Sequence, residues 1–490
     1  ALLFVAAMNY ILNSVSSLPI RARSVGVHKC NGASSKDIFN MFLFETAALF
    51  VVALVCMALL LFAFREYVAD MAAVPTLGTL LNAQTIWLPA IMILAIFILS
   101  ALLPARLFSV IPVTQVFRVS TSGKQGWKRS LLFIQFGGIA FVITLLVIVL
   151  LQYDRLMNND LGYDPENIVY APLNNMDDQK TAKLTAELKK LPYVMATGLS
   201  SMDILSGYGG FPILDNEKNW LFTARQVNYN ADYLSLMKIP LLEGQPLKGD
   251  GDILVNESFV SKRGWTDGAI GKYIYDDEGN LKGKIVGVTR DFMVNSFFTP
   301  QLPVIMFGSD RMSYCNFTVR VSELTPEYLR EMNDRIAELF PDEDVGFTVL
   351  KTIIESQYEG TRHFRDGVFV ASIAILLITL MGLLGYITDE MHRRSKEIAI
   401  RKVNGATAPN ILRLLSKDVL ITAFPAILLG VIASRVVGES WLRQFADKIS
   451  LTVFIFISTA LLVLAIIWGC VILKSWNIAN ENPVRSIKNE

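Results

Sequence analysis

The chemistry-bearing residues with the most regular spacing are cations. Arg393-Arg394-Ser395-Lys396-Glu397-Ile398-Ala399-Ile400-Arg401-Lys402-Val403-Asn404-Gly405-Ala406 lies between two apolar spans and ends in a glycine-containing break before another helix-like run. A weaker copy stands near the start: Arg21-Ala22-Arg23-Ser24-Val25-Gly26-Val27-His28-Lys29-Cys30-Asn31-Gly32-Ala33. The copies align without a gap. Val25, Val27, Lys29, Asn31, Gly32 and Ala33 face Ile398, Ile400, Lys402, Asn404, Gly405 and Ala406. Clustered cations of this kind dock on anionic surfaces rather than make bonds. Arg401 and Lys402 suit anionic lipid or an acidic protein groove. Gly32 and Gly405 stand where the chain must turn, and glycine tolerates positive φ there. A repeated basic segment at the foot of two apolar helices gives two equivalent docking points.

Other chemistries find no support. No phosphate-binding G-x-x-x-x-G-K-[ST] loop exists, and Ser122-Gly123-Lys124 lacks the upstream glycine. The chain is therefore expected to be no enzyme and to hold no cofactor, so a partner must supply energy. His28, His363 and His392 are scattered, so no metal site is expected. Cys30, Cys56, Cys315 and Cys470 lie far apart and read as small structural residues. Asp276-Asp277-Glu278-Gly279-Asn280 reads as an acidic hairpin turn, without the spaced ligands of a calcium loop.

The elements that position the basic segments are apolar. The chain has 490 residues, 52% hydrophobic and 18% charged, where soluble domains carry about 25% charged residues. Spans are expected at 1–17 (a remainder), 41–64, 87–110, 131–151, 367–387, 419–437 (broken by Pro425) and 452–473. Net charge is +1, which gives no reason to expect nucleic acid. The loops 18–38, 111–130 and 388–417 and the tail 474–490 are the basic ones and belong in the cytoplasm. The connections 65–86 and 438–451, and the polar stretch 152–365, then lie on the other side. Gln152–Leu161 and Lys351–Arg365 read as helical stalks continuing the spans outward, because a flexible linker would be richer in Gly, Ser or Pro. The insert between them reads as strand and helix pieces, long enough for its own core in two lobes.

Charges inside the spans are few. Glu45 and Asp418 occupy equivalent places near one membrane face, either as structural carboxylates or paired with a basic-segment residue. Arg435 snorkels at the other end of its span. No other charge lies deep, which argues against an ion-coupled carrier. The chain opens on Ala1 inside an apolar stretch with no charged leader, which reads as an N-terminal truncation.

Each half reads as span, basic loop, span, short outer loop, span and a Pro-Val ending: Pro112-Val113-Thr114-Gln115-Val116 in the first, Asn482-Pro483-Val484-Arg485-Ser486-Ile487 in the second. Two parallel copies imply a pseudo-twofold axis along the membrane normal. In Arg394–Ala406 above all, and in the terminal Asn482-Pro483-Val484, the second half of the chain resembles permease subunits of ABC transporters of the FtsX-like, MacB-type superfamily. The insert resembles the family's periplasmic core through Asp160-Leu161-Gly162-Tyr163, Val255-Asn256-Glu257-Ser258-Phe259-Val260, and Ile285-Val286-Gly287-Val288-Thr289-Arg290-Asp291-Phe292 followed by Pro303.

The resemblance implies an α-helical integral membrane protein with two FtsX-like units and an inserted α+β periplasmic domain. Its expected domains are a first unit (1–118), a linker and span (119–151), the periplasmic core with stalk ends (152–365) and a second unit (366–490). It implies the long form with two periplasmic domains, a bacterial inner-membrane location, and a missing N-terminus holding one span and one domain. A separate cytoplasmic ATPase would bind ATP and drive periplasmic motion that exports or extracts a lipid, lipoprotein, peptide or drug. The alternative is a regulatory complex activating a periplasmic cell-wall hydrolase. Carried over, the ATPase-coupling residues are Lys396, Glu397, Arg401, Lys402, Gly405 and Ala406, with Arg23, Lys29, Gly32 and Ala33 from the first copy. That copy departs from the pattern at Ser24 and His28. Membrane lipid, a second permease copy and a periplasmic or outer-membrane protein are the other partners implied.

Overall fold

The computed structural model describes residues 6–11, 14, 18–72, 76–80, 82, 84–109, 126–172, 178–201, 204–205, 209–215, 217–294, 296, 298–308, 316–341 and 345–479. The two Pro-Val endings, Ser122–Lys124, Cys315, Pro75 and most of the 111–130 loop lie outside them. Two compact units divide the chain. Residues 1–153, 360–442 and 449–490 make one, and 154–359 with 443–448 make the other.

The first unit is helical. Its principal helices are α1 (Leu18–Cys30), α2 (Ser35–Ala63), α3 (Trp87–Ser109), α4 (Gly126–Asn158), α5 (Glu359–Arg393), α6 (Ser395–Val403), α7 (Ala408–Leu442) and α8 (Val453–Ala479), with α4 running on past Tyr153. Six of them, α2, α3, α4, α5, α7 and α8, are long and apolar enough to cross a membrane. The span expected at 1–17 is described only at residues 6–11, which are helical, and at 14. A capping box starts α2: Ser34 Oγ accepts from the Asp37 amide and the Asp37 carboxylate accepts from the Ser34 amide. Exposed Val51, Leu59, Phe424, Leu461 and Leu473 suit hydrocarbon, not water.

Close approach, not hydrophobicity, joins apolar helices in lipid. On α7, Ala426, Gly430, Ser434 and Gly438 recur every fourth residue and are buried. A Cβ on Gly430 would stand 2.2 Å from the Gly137 carbonyl oxygen of α4, so only hydrogen fits between the two backbones. Thr144 of α4 donates to Thr459 of α8 at 3.2 Å. Asn9, Gln135, Thr379 and Ser434, also buried in this unit, are polar but uncharged. Pro425 was expected to break its span, yet α7 continues through it. Proline costs the helix one amide donor, and inside a packed bundle neighbouring turns hold the backbone in register.

The second unit carries an 11-stranded mixed sheet, ordered β11-β1-β10-β2-β4-β9-β6-β8-β5, with β3 on β4 and β7 on β8. The strands are β1 (Ile168–Pro172), β2 (Val194–Ser200), β3 (Gly209–Leu214), β4 (Trp220–Tyr229), β5 (Leu241–Gly244), β6 (Asp252–Asn256), β7 (Tyr273–Tyr275), β8 (Leu281–Thr289), β9 (Val304–Gly308), β10 (Asn316–Val321) and β11 (Thr348–Val349). Two lobes share it. In one, helices Asp178–Leu188 and Pro326–Leu339 cover β1 and β10 through Leu184, Leu188, Met332 and Ile336 against Val169, Phe317 and Val319. In the other, helix Glu257–Arg263 lays Phe259 against Phe222, Ile253 and Ile285. The lobes meet where β2 pairs β4 at Ser200 and Tyr229. The chain is thus an α-helical membrane protein with an inserted α+β domain.

The three short motifs of the insert, far apart in sequence, form one knot. Arg290 pairs with Asp160 at 2.8 Å, and the Met293 amide donates to the Leu161 carbonyl at 2.7 Å. Asp291 accepts from the Ser258 amide at 2.9 Å and hydroxyl at 2.6 Å. Asn256 Oδ1 accepts from the amides of Phe259 at 3.1 Å and Val304 at 2.8 Å. Gly162, at φ +74°, lies so close that a Cβ would meet the Asp291 carbonyl oxygen at 2.4 Å.

The expected second stalk is not continuous. Helix Leu350–Ser356 ends, Gln357 and Tyr358 turn, and α5 begins at Glu359. Tyr358 is buried near Phe298, with ring centroids 5.9 Å apart, and burying that ring outweighs one lost helical turn. Phe298 also stacks on Phe445, at 5.0 Å, while Asp447 binds Arg155 at 2.7 Å and Asn159 at 2.5 Å. The short α7–α8 connection is thereby part of the sheet-bearing unit.

Candidate functional site: a duplicated basic helix and turn

The second basic segment folds as a short helix set off from the span before it. Arg394 leaves helical geometry at φ −94°, ψ 7°, and α6 follows. At its end the Gly405 amide donates to the Lys402 carbonyl at 3.0 Å and the Ala406 amide to the Arg401 carbonyl at 2.9 Å. Gly405 has φ +88°. This pair of bonds around a left-handed glycine is a Schellman ending. The first segment ends the same way. Gly32, at φ +93°, donates to Lys29 at 3.1 Å, and Ala33 donates to His28 at 3.0 Å. The shared Asn-Gly-Ala is thus the cap of both helices.

Burial repeats as well. Val25 and Ile398 are inward, at 0% and 5% exposure, while Val27 and Ile400 are outward at 57% and 63%. Val25 packs with Ile38, Phe42 and Ala105. His28 and Arg401 are exposed, and Lys29 and Lys402 are half-buried. Each segment therefore presents an apolar residue beside a basic or titratable one on its free face. Of Arg23 and Lys396 only the helical backbone is described. Arg401 donates to Glu397 at 2.7 Å, four residues back. Lys29 Nζ donates to the Ser109 carbonyl at 2.8 Å, capping the end of α3, so its ammonium is engaged within the chain. Gly32, Gly405, Ala33 and Ala406 sit in the turns, with both glycines exposed and both alanines half-buried.

A charge network holds α6 in place. Arg394 binds both Glu390 of α5 and Asp418 of α7. Arg393 adds a bond to Glu390 at 2.5 Å, Arg129 of α4 approaches Asp418 at 3.5 Å, and Lys128 pairs with Asp389 at 2.7 Å. Asp418 thus pairs with a basic-segment residue, one of the two readings open for it from sequence. Glu390, nearly buried, and Asp389 were not singled out by sequence reasoning. The signal was present: an Asp-Glu pair at the end of a span, with Glu390 four residues before Arg394. Glu45 stands exposed at the matching place in α2.

Other candidates stay apart. Among the described residues no cluster of His, Cys, Asp or Glu is arranged to hold a metal. Asp276 closes the β7–β8 turn. It accepts from the Asn280 amide at 2.7 Å and from Lys282 at 3.0 Å, and the Lys282 bond is the main cause of a carboxyl pKa lowered to about 2.

The model of the FtsX-like permease C-terminal family matches two stretches of the helical unit, residues 1–113 and 369–483. The sheet-bearing insert lies between the two matched stretches. No curated protein matches it. Similar solved structures include the periplasmic region of MacB from Actinobacillus actinomycetemcomitans, at 13% identity and TM-score 0.31, covering 41% of this chain and 97% of that one. Another is a domain of a putative permease protein from Porphyromonas gingivalis, at 16% identity and TM-score 0.30, covering 38% and 92%. A third is the extracellular domain of the noncanonic ABC-type transporter YknZ from Gram-positive bacteria, at 10% identity and TM-score 0.28, covering 37% and 100%.

Proposed function

We propose that this chain is the permease subunit of an ABC transporter, driven by a separate ATPase that docks on α1 and α6 at the cytoplasmic face of a bacterial inner membrane. The observation that carries the reading is the duplicated segment: two helices with the same inward and outward pattern and the same glycine cap. In this reading Ile400, Val403 and Arg401 form the docking face of α6, with Val27 and His28 as counterparts on α1. Arg394, held by Glu390 and Asp418, passes the displacement of α6 into α5 and α7. Motion in α4 and α5 reaches the periplasmic unit and moves a lipid, lipoprotein, peptide or drug. The first copy, with His28 in place of Arg401 and Ser24 in place of Glu397, docks less tightly.

A cysteine cross-link tests this. With the native cysteines replaced by serine, Ala406→Cys and, separately, Ala33→Cys are challenged with candidate ATPase subunits with and without ATP. A nucleotide-sensitive cross-link at both positions is the expected result. A cross-link at Ala406→Cys alone would leave one working docking point. Absence of any cross-link would sink the ATPase-driven reading.

A further inference from the structure

We propose that the groove between α7 and α8, at the end of the bundle carrying the basic segments, binds the headgroup of an anionic phospholipid. It is lined by Arg413, Ser416, Lys417 and Ile421 of α7 and by Trp468 and Ile472 of α8. Arg413 and Lys417 are four residues apart and therefore on one helix face. They stand at the polar end of α7, and the apolar wall runs from there into the span. Cations at the mouth and hydrocarbon walls beyond match an amphiphile with an anionic head and an acyl chain. Trp468, 50% exposed, lines the same groove, and an indole favours the zone between headgroups and chains.

Charge accounting favours an external anion. Several of the other cations near this end have carboxylate partners: Lys128 with Asp389, Arg129 and Arg394 with Asp418, Arg393 with Glu390, Arg401 with Glu397. Arg413 and Lys417 have no ion-pair or hydrogen-bond partner among the described residues. Asp418, next to Lys417, faces the other way, toward Arg394 and Arg129. The inference does not rest on the ATPase reading. It needs only that α7 and α8 span a bilayer.

Contact quenching of Trp468 is the test. The full chain is placed in phosphatidylcholine vesicles doped with brominated phosphatidylglycerol or brominated phosphatidylcholine. The Trp468 signal is the difference between the chain and its Trp468→Phe variant. Each cation near a headgroup plane favours an anionic lipid about fivefold, so the pair gives a preference of about 25-fold for phosphatidylglycerol. Arg413→Gln with Lys417→Gln is expected to bring the ratio close to one, whereas Lys417→Arg keeps it. Both side chains are exposed, and an unchanged melting temperature certifies the double variant. Equal quenching by the two lipids overturns the proposal, as does a preference that survives in the double variant. Unchanged lipid selectivity with weakened ATPase binding would reassign the groove to a protein contact.

Discussion

At the scale of single residues, glycines separate geometric need from mere presence. Gly32 and Gly405 take positive φ at exposed turns with nothing within 4 Å of an added Cβ. Gly162 combines positive φ with backbone at 2.4 Å. Gly162→Ala therefore incurs about 1–2 kcal/mol for left-handed geometry and about 1–3 kcal/mol more for the clash. Gly264, at φ +72° with open space around it, incurs only the first. Thermal unfolding of the two alanine variants should show a distinctly larger drop for Gly162→Ala, and equal drops would refute the knot as described. Sequence named Gly162 as one of three weak motifs, but its partner, the Asp291–Phe292 backbone, lies well over 100 residues away and no local pattern points to it.

At the scale of elements, α6 is a helix too short to stand alone, since isolated helices of fewer than about 12 residues are marginal in water. Its placement comes from Arg394 gripping Glu390 and Asp418 and from Ile398 and Ala399 being buried. Hydrogen bonds between charged groups contribute about 1.5–3 kcal/mol when sheltered. Asp418→Asn should accordingly speed backbone hydrogen exchange across Ser395–Val403 by about tenfold or more, while Asp447→Asn leaves that segment unchanged. Unaltered exchange in Asp418→Asn would show that apolar burial alone seats α6. The helix itself and its glycine cap were legible, because Arg-Lys followed by Asn-Gly marks a helix end. The acidic clasp was legible only in part: Asp418 is distant in sequence from Arg394, and the pairing depends on how α5 and α7 pack.

At the scale of the whole molecule, the membrane unit depends on close helix crossings that hydropathy does not register. Gly430→Val would push a side chain into the Gly137 carbonyl, 2.2 Å from the first added carbon. The expected result is a lower unfolding temperature in detergent and a looser α4–α7 contact. Gly469→Ala on α8, with nothing within 4 Å, is the matched control and should be neutral. A Gly430→Val protein as stable as the parent would mean that α4 and α7 do not rely on this crossing.

The sequence by itself determined the class of molecule. Apolar runs of bilayer length, a polar insert with mixed strand and helix patterns, and a basic segment written twice are one-dimensional signals, because each depends on residues close in the chain. It also showed where both basic helices stop, since a glycine cap is local chemistry. Tertiary structure alone decided the rest. It carried α7 through Pro425, broke the second stalk at Tyr358 to bury a ring, and drew Asp447 of a short loop onto Arg155 and Asn159. It also joined three scattered motifs into one knot. Each of these outcomes balances a local backbone preference against burial or pairing with distant residues, and only packing in three dimensions sets that balance.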